Sequence, residues 1–243
     1  MHGVHKPWAS EDDLTEFDQF SDSYERQLDD VIKFSGRDRT FYTRVKARWI
    51  LDFARRRVGE PRELAALDIG CGVGLTVSAL AGGFGNVSGV DISEGMIERA
   101  IERDPAVDYR VYDGSRLPHG DASFDVVFTI CVLHHVPESS RAGFMDEMRR
   151  VLRPGGLALI GEHNPWNPLT RLAVYRCAFD EDARLLHARE AEALLDAARL
   201  EVVERRYILV APSDSRPAQR LERALGSVPL GAQYFVAGTR DAA

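Results

Sequence analysis

Residues Leu67-Asp68-Ile69-Gly70-Cys71-Gly72-Val73-Gly74 close a short apolar run with an acid and then three glycines at alternate positions. Glycine lets a backbone turn tightly and come into contact with a ligand where a Cβ would clash. Val90-Asp91 follows about twenty residues later, and an acid at that strand end suits the paired hydroxyls of a ribose. Two rival ligands fail on spacing. A dinucleotide fingerprint needs G-x-G-x-x-G and a phosphate loop needs Gly-Lys-Ser/Thr. Here the pattern is Asp-x-Gly-x-Gly-x-Gly with no such lysine.

A second set of residues could move protons. His134-His135 is one group and Glu162-His163-Asn164 the other. An imidazole, with an ordinary pKa of about 6.5, can take a proton from a hydroxyl at neutral pH. Neighbours on a helix diverge by about 100°, so one of His134 and His135 is expected to face a site and the other to cap or pack. Glu162 or His163 reads either as a base or substrate-positioning group, or as part of a hydrogen-bonded turn before Pro165. His187, opening His-Ala-Arg-Glu, reads as a surface or capping residue.

The elements that must hold these residues alternate. Apolar runs at 65–69, 87–90, 107–112, 125–130 and 157–161 read as strands. Helical patterns fall between them at 74–83, 94–103, 139–152 and 187–198. Such alternation implies βαβ units and a mainly parallel sheet with helices on both faces. Ligands of an open parallel sheet bind beyond the carboxyl ends of its strands. Polar or small residues recur there: Asp68 to Gly70, Asp91, Asp113-Gly114, Thr129-Ile130-Cys131 and Glu162 to Asn164. Taken singly, Asp91 also suits a helix N-cap, Asp113-Gly114 an ordinary turn, and Pro154-Gly155-Gly156 a turn from helix into strand.

Upstream, Phe17, Phe20 and Tyr24 recur at helical spacing, and a second helix is expected from Thr40 until Gly59 and Pro61 stop it. Downstream, Leu200 to Val210 and Gln233 to Gly238 are strand-like and are expected to close the sheet as a hairpin with a long insertion. The chain is read as one domain: a helical cap over 1–60, a ligand-binding core over 61–163, a lid and helix over 164–199, and closing strands over 200–243.

The 243 residues are 44% hydrophobic and 28% charged, with net charge −7, so no basic field favours a nucleic-acid backbone. Cys71, Cys131 and Cys177 show no metal-ligand spacing, and no metal site is expected. Unpaired cysteines, no apolar run near the ~18 residues of a membrane span, and no signal-like start lead to a cytoplasmic expectation.

From residue 64 to residue 163 the ordered motifs resemble those of class I S-adenosylmethionine (SAM)-dependent methyltransferases, of the methyltransferase type 11 kind. The stretch 67–74 is similar to the family's first motif, and Asp91 to its ribose-binding acid. Asp113-Gly114 resembles the motif whose acid reaches the adenine amino group. Phe124-Asp125-Val126-Val127 through Leu133-His134-His135-Val136-Pro137 resembles the fourth motif, and Met148 to Gly156 the approach to the fifth strand. The resemblance implies a Rossmann-like fold with a seven-stranded, mainly parallel sheet and an antiparallel C-terminal strand. It implies SAM as cofactor, held by Asp68, Gly70, Cys71, Gly72, Gly74, Asp91, Ile92, Met96, Asp113, Gly114, Ile130 and His135. His134, His135 and His163 are the candidate catalytic groups. The expected acceptor is a small or lipid-linked metabolite, with a quinone-type C-methylation and a non-catalytic SAM-binding role as alternatives.

Overall fold

The computed structural model describes residues 24–177 and 183–242. Phe17 and Phe20 of the expected N-terminal helix face lie outside them, as do Phe179 and the acids Asp180, Glu181 and Asp182. Seven strands form one sheet in the order β3-β2-β1-β4-β5-β7-β6. They are β1 (Ala65–Ile69), β2 (Asn86–Asp91), β3 (Asp108–Val111), β4 (Phe124–Ile130), β5 (Leu152–His163), β6 (Glu201–Ile208) and β7 (Gln233–Thr239). The first five pair in parallel, and β7 runs antiparallel to both β5 and β6. The strand order reverses between β1 and β4, which opens a crevice at their carboxyl ends.

Strand β1 shows why these short runs become central strands. Leu67 and Ile69 enter one core cluster while Ala66, one position before Leu67, enters the other, so both faces are covered. One face is covered by α2 (Arg39–Arg57), α3 (Leu75–Leu80) and α4 (Glu94–Arg103). The other is covered by α5 (Glu138–Val151) and α7 (Ala188–Ala197). Helix α2 buries Phe41, Val45, Trp49 and Phe53, one residue per turn. Asp38 caps it by accepting a hydrogen bond from the Phe41 N–H at 2.9 Å. The N-terminal helix α1 (Tyr24–Ile32) buries none of its residues.

Several local expectations change. Helix α3 ends at Leu80, and Gly82, at φ 76°, follows in the turn. Pro154-Gly155-Gly156 lies within the span of β5. Leu152 pairs with Phe124 and Leu157 with Val126, so the intervening residues bulge out of register, with Gly155 at φ 76°. Helix α4 is capped by Ser93, whose hydroxyl accepts from the Met96 N–H at 3.1 Å, so Asp91 is not its cap. The C-terminal hairpin forms as expected. Its insertion carries α8 (Arg216–Leu225), whose buried Glu222 accepts from Trp49 Nε1 at 2.8 Å and from the Leu209 N–H at 2.9 Å.

Candidate active site

A cavity of about 530 Å³ lies at the carboxyl ends of the central strands. Helices α1, α2 and α6 (Pro168–Tyr175) add walls to it, as does the segment 209–212 after β6. Of the residues expected at a cofactor, Asp68, Gly70, Cys71, Gly72, Asp91, Ile92, Met96, Ile130 and His135 line it. Gly74, Asp113 and Gly114 do not.

The three glycines separate by what a side chain would meet. All have positive φ. A Cβ on Gly70 would come within 2.4 Å of Val132 Cγ2, and one on Gly74 within 2.6 Å of the Tyr109 hydroxyl. Those two keep the strand end and helix α3 tightly packed. Gly72, at φ 52°, has nothing within 4 Å of its would-be Cβ. It is the glycine whose missing side chain leaves room for a ligand.

Asp91 is organised by the loop beside it. Its Oδ2 accepts from the Gly72 N–H at 2.7 Å and its Oδ1 from the Ser93 N–H at 3.1 Å. Asp113 instead folds on itself. Its Oδ1 accepts from the Ser115 N–H, the Ser115 hydroxyl and the Arg116 N–H, which holds its carboxyl below the ordinary range. Position 112 faces the cavity at this strand end, and it presents the Tyr112 ring.

Asp68 is buried, and its Oδ1 has no hydrogen-bond partner among the described residues. Burial, with the nearby Asp91 carboxylate, pushes its pKa up to about 8, against a smaller opposing pull from Lys46. Burial likewise pushes the Cys71 thiol well up. Lys46, on α2, lines the cavity and has no ion-pair partner among the described residues. Arg39 also lines it, but is paired to Glu25 and Asp29 of α1. The sequence offered no signal for Lys46: next to the apolar stripe of α2 it is indistinguishable from a solvated lysine.

His134, His135 and His163 all line the same cavity. Residues 131–137 form an irregular loop between β4 and α5, so helical divergence does not separate the first two. Their ring centroids are 4.1 Å apart, and His134 lies 5.4 Å from His163. Glu162 does not line the cavity and serves as a bracket. Its Oε1 accepts from the N–H groups of Val132 at 3.1 Å and Leu133 at 2.8 Å, and its Oε2 lies 2.6 Å from His134 Nδ1. Burial alone would raise the Glu162 carboxyl, but the His134 ring, then His163 and His135, outweigh it and hold it below its ordinary range. In the tautomer that donates Nδ1–H to this carboxylate, Nε2 is the accepting nitrogen of the His134 ring. Asn164 anchors the turn into α6 by donating from Nδ2 to the carbonyls of Pro229 and Gly231. His187 is the N-cap of α7, its N–H held by Glu190 at 2.7 Å.

Comparison with known proteins agrees with this geometry. A family model described as a methyltransferase domain matches residues 67–160. The chain is 34% identical over 143 residues to an uncharacterized methyltransferase of Synechocystis sp., covering 57% of this chain and 68% of that protein. The chain belongs to the class I SAM-dependent methyltransferase family.

A 2-methyl-6-phytyl-1,4-hydroquinone methyltransferase of Synechocystis sp. is 36% identical over 108 residues, 43% of this chain and 33% of that one. The chain spans only 33–37% of the length of the first three curated relatives it matches. A Thermotoga maritima structure described as a possible histamine N-methyltransferase superposes with a TM-score of 0.67 at 21% identity, covering 94% of this chain and all of that one. That likeness shows the fold alone.

SAM is the methyl donor of this family, and the cavity fits it. The Asp91 carboxylate offers negative charge to a cationic ligand, and Asp68, whose Oδ1 lacks a hydrogen-bond partner among the described residues, gains it on ionising beside such a ligand. Ile92, Met96 and Tyr112 offer apolar surface to an adenine ring, and the open face of Gly72 leaves space for close approach. No helix among the described residues is long and apolar enough to cross a membrane.

Proposed function

We propose that this protein transfers a methyl group from SAM to a small, largely apolar or lipid-linked acceptor through an acidic hydroxyl. The observation that carries this reading is the buried Glu162–His134 pair, whose imidazole lines the cavity while the carboxylate holds it from behind. When bound, SAM supplies a sulfonium methyl open to in-line attack. The chain's own residues align, dehydrate and deprotonate. Asp91, fixed by two backbone N–H groups, would accept from the ribose hydroxyls, and Asp68 would meet the cationic end. Such alignment is worth roughly 7–11 kcal/mol in favourable cases. His134 Nε2 takes the acceptor's hydroxyl proton as the oxygen attacks, and the Glu162 carboxylate balances the charge that the ring gains.

The rest of the cavity describes the acceptor. Leu28, Val31 and Ile32 of α1, Leu169 and Val174 of α6, and Leu209 all line it. A pocket so lined favours an apolar body with few polar groups. The hydroquinone named for the Synechocystis relative has this character, and it supports a second outcome. The same base, on taking a phenolic proton, would activate a ring carbon for C-methylation.

The test is incubation of the purified chain with methyl-labelled SAM and a panel of alkyl phenols and short-chain hydroquinones. Labelled product on the hydroxyl is expected, and mass spectrometry separates O- from C-methylation. Tight S-adenosylhomocysteine (SAH) binding with no transfer to any phenol or hydroquinone would sink the reading and leave a non-catalytic SAM-binding protein.

A further inference from the structure

Helix α6 keeps apolar residues on the side away from the core. Thr170 and Val174 point inward and are buried, and Ala173 lines the cavity. Yet Trp166 before the helix is 67% exposed and Tyr175 at its end 88%, with Leu169 and Leu172 exposed between them. Leu230 adds to this face. It is exposed, and its carbonyl accepts from Asn167 Nδ2 at 2.8 Å. At about 100° per residue, Leu172 lies near the middle of the outward face, with Tyr175 and Arg176 on either side and Arg171 at its edge. Among the described residues neither guanidinium has an ion-pair partner. Leu169 is both exposed and part of the cavity wall, so the patch runs continuously into the cavity mouth.

Clustered exposed apolar residues of this kind mark an interaction surface. Leucine and aromatic rings interleaved with arginines that have no ion-pair partner among the described residues suit an interfacial helix. The rings and leucines enter the boundary between headgroups and acyl chains, and the guanidiniums meet lipid phosphates. We propose that this face docks on an anionic lipid bilayer, so that a lipid-borne acceptor passes from membrane to cavity along Leu169. The docking follows from the patch; only the delivery of the acceptor rests on the function proposed above.

Charge favours a bilayer over a second copy of the chain. Helix α6 carries no acidic residue. A twofold dimer through this face would bring two Arg171 and two Arg176 side chains together without an acid of the helix to neutralise them. The net charge of −7 does not oppose docking at contact. At a Debye length of about 8 Å, the charges nearest the membrane dominate.

The test is co-sedimentation of the full chain with vesicles of phosphatidylcholine alone or with about a third phosphatidylglycerol. The chain is expected to partition to the anionic vesicles. L172E/Y175E should lower that partition at least tenfold, and R171Q/R176Q should lower it about tenfold and abolish the preference for phosphatidylglycerol. None of these four residues lines the cavity, so SAH affinity and turnover of a short-chain soluble acceptor should be unchanged in both variants, which also shows that they fold. Failure of the wild-type chain to bind vesicles overturns the proposal, as does equal binding by L172E/Y175E. A concentration-dependent dimer abolished by L172E/Y175E, with vesicles left unbound, assigns the patch to a second copy instead. Vesicle binding without turnover of any acceptor would remove the proposed function and leave the docking intact.

Discussion

His134 Nδ1 lies 2.6 Å from Glu162 Oε2, with both side chains almost wholly buried. The two residues are 28 positions apart and meet because β4 and β5 are parallel neighbours whose carboxyl ends share an edge. Glu162→Gln should therefore act through the imidazole. It removes the charge that stabilises a protonated ring while keeping the size of the side chain. Turnover is expected to fall on the order of 10²-fold, with SAH affinity within about threefold of wild type, and His134→Ala should show the same separation. Loss of cofactor binding equal to the loss of turnover would make the pair structural. The depressed Glu162 carboxyl also sets a sign. It contributes stability above the ordinary carboxylate pKa that is lost as pH falls below it. Wild type should therefore lose more stability than Glu162→Gln on acidification below about pH 4.5.

Asp68 should produce the opposite slope. Its carboxyl titrates near 8 in the folded chain, against an ordinary 3.8. Between those values the folded state holds a proton that the unfolded state has lost, so stability falls as pH rises through the window. At ~1.4 kcal/mol per pH unit, the effect amounts to several kcal/mol. Urea unfolding of the ligand-free chain from pH 5 to 8.5 should show this decline, and Asp68→Asn should flatten it. A cationic ligand beside Asp68 favours the ionised form. Calorimetry of SAM binding at pH 7 in buffers of different ionisation heat should accordingly register release of up to about one proton per cofactor, and none for Asp68→Asn.

The glycines give a paired contrast. Gly72→Ala fills space that is open in the structure, while Gly74→Ala drives a Cβ toward the Tyr109 hydroxyl. Both incur a left-handed backbone cost of about 1 kcal/mol. Gly72→Ala should weaken SAH binding more than tenfold with a modest loss of melting temperature. Gly74→Ala should cost more stability and less affinity. The reverse ranking in calorimetry and thermal denaturation would place the ligand on the wrong glycine.

Lys46 is the cavity cation left without an ion-pair partner among the described residues. It is expected to meet the carboxylate of the methionine portion of SAM. Lys46→Met should weaken SAH binding about tenfold, the scale of one charge-assisted contact, and leave the binding of adenosine unchanged. Equal effects on both ligands would assign Lys46 to general packing.

Much of the cofactor half was legible before any fold was known. Acids and glycines at strand ends carry a strong local pattern, because a backbone that must approach a ligand tolerates few residue types. That pattern, with the alternation of strands and helices, pointed to the parallel sheet and to the SAM family. Within the pattern, local spacing could not say which residues reach the ligand. Gly74 and Asp113 fit the motif but are not among the lining residues of the cavity, while Tyr112, next to Asp113, lines it. Helical spacing would make the adjacent histidines diverge; the irregular loop at 131–137 carries both rings to one wall.

The sequence by itself determined the order of the elements, the covered faces of the sheet and the family of the cofactor. These rest on short-range periodicity and on backbone constraints that single residues express. Only the tertiary structure decided that Glu162 brackets His134, that Asp68 is buried without a partner for its Oδ1 among the described residues, and that Lys46 and Leu169 close the same cavity. Those relations join residues distant along the chain. They exist because parallel pairing aligns the strand ends and packing removes water from between them, and no local pattern encodes either.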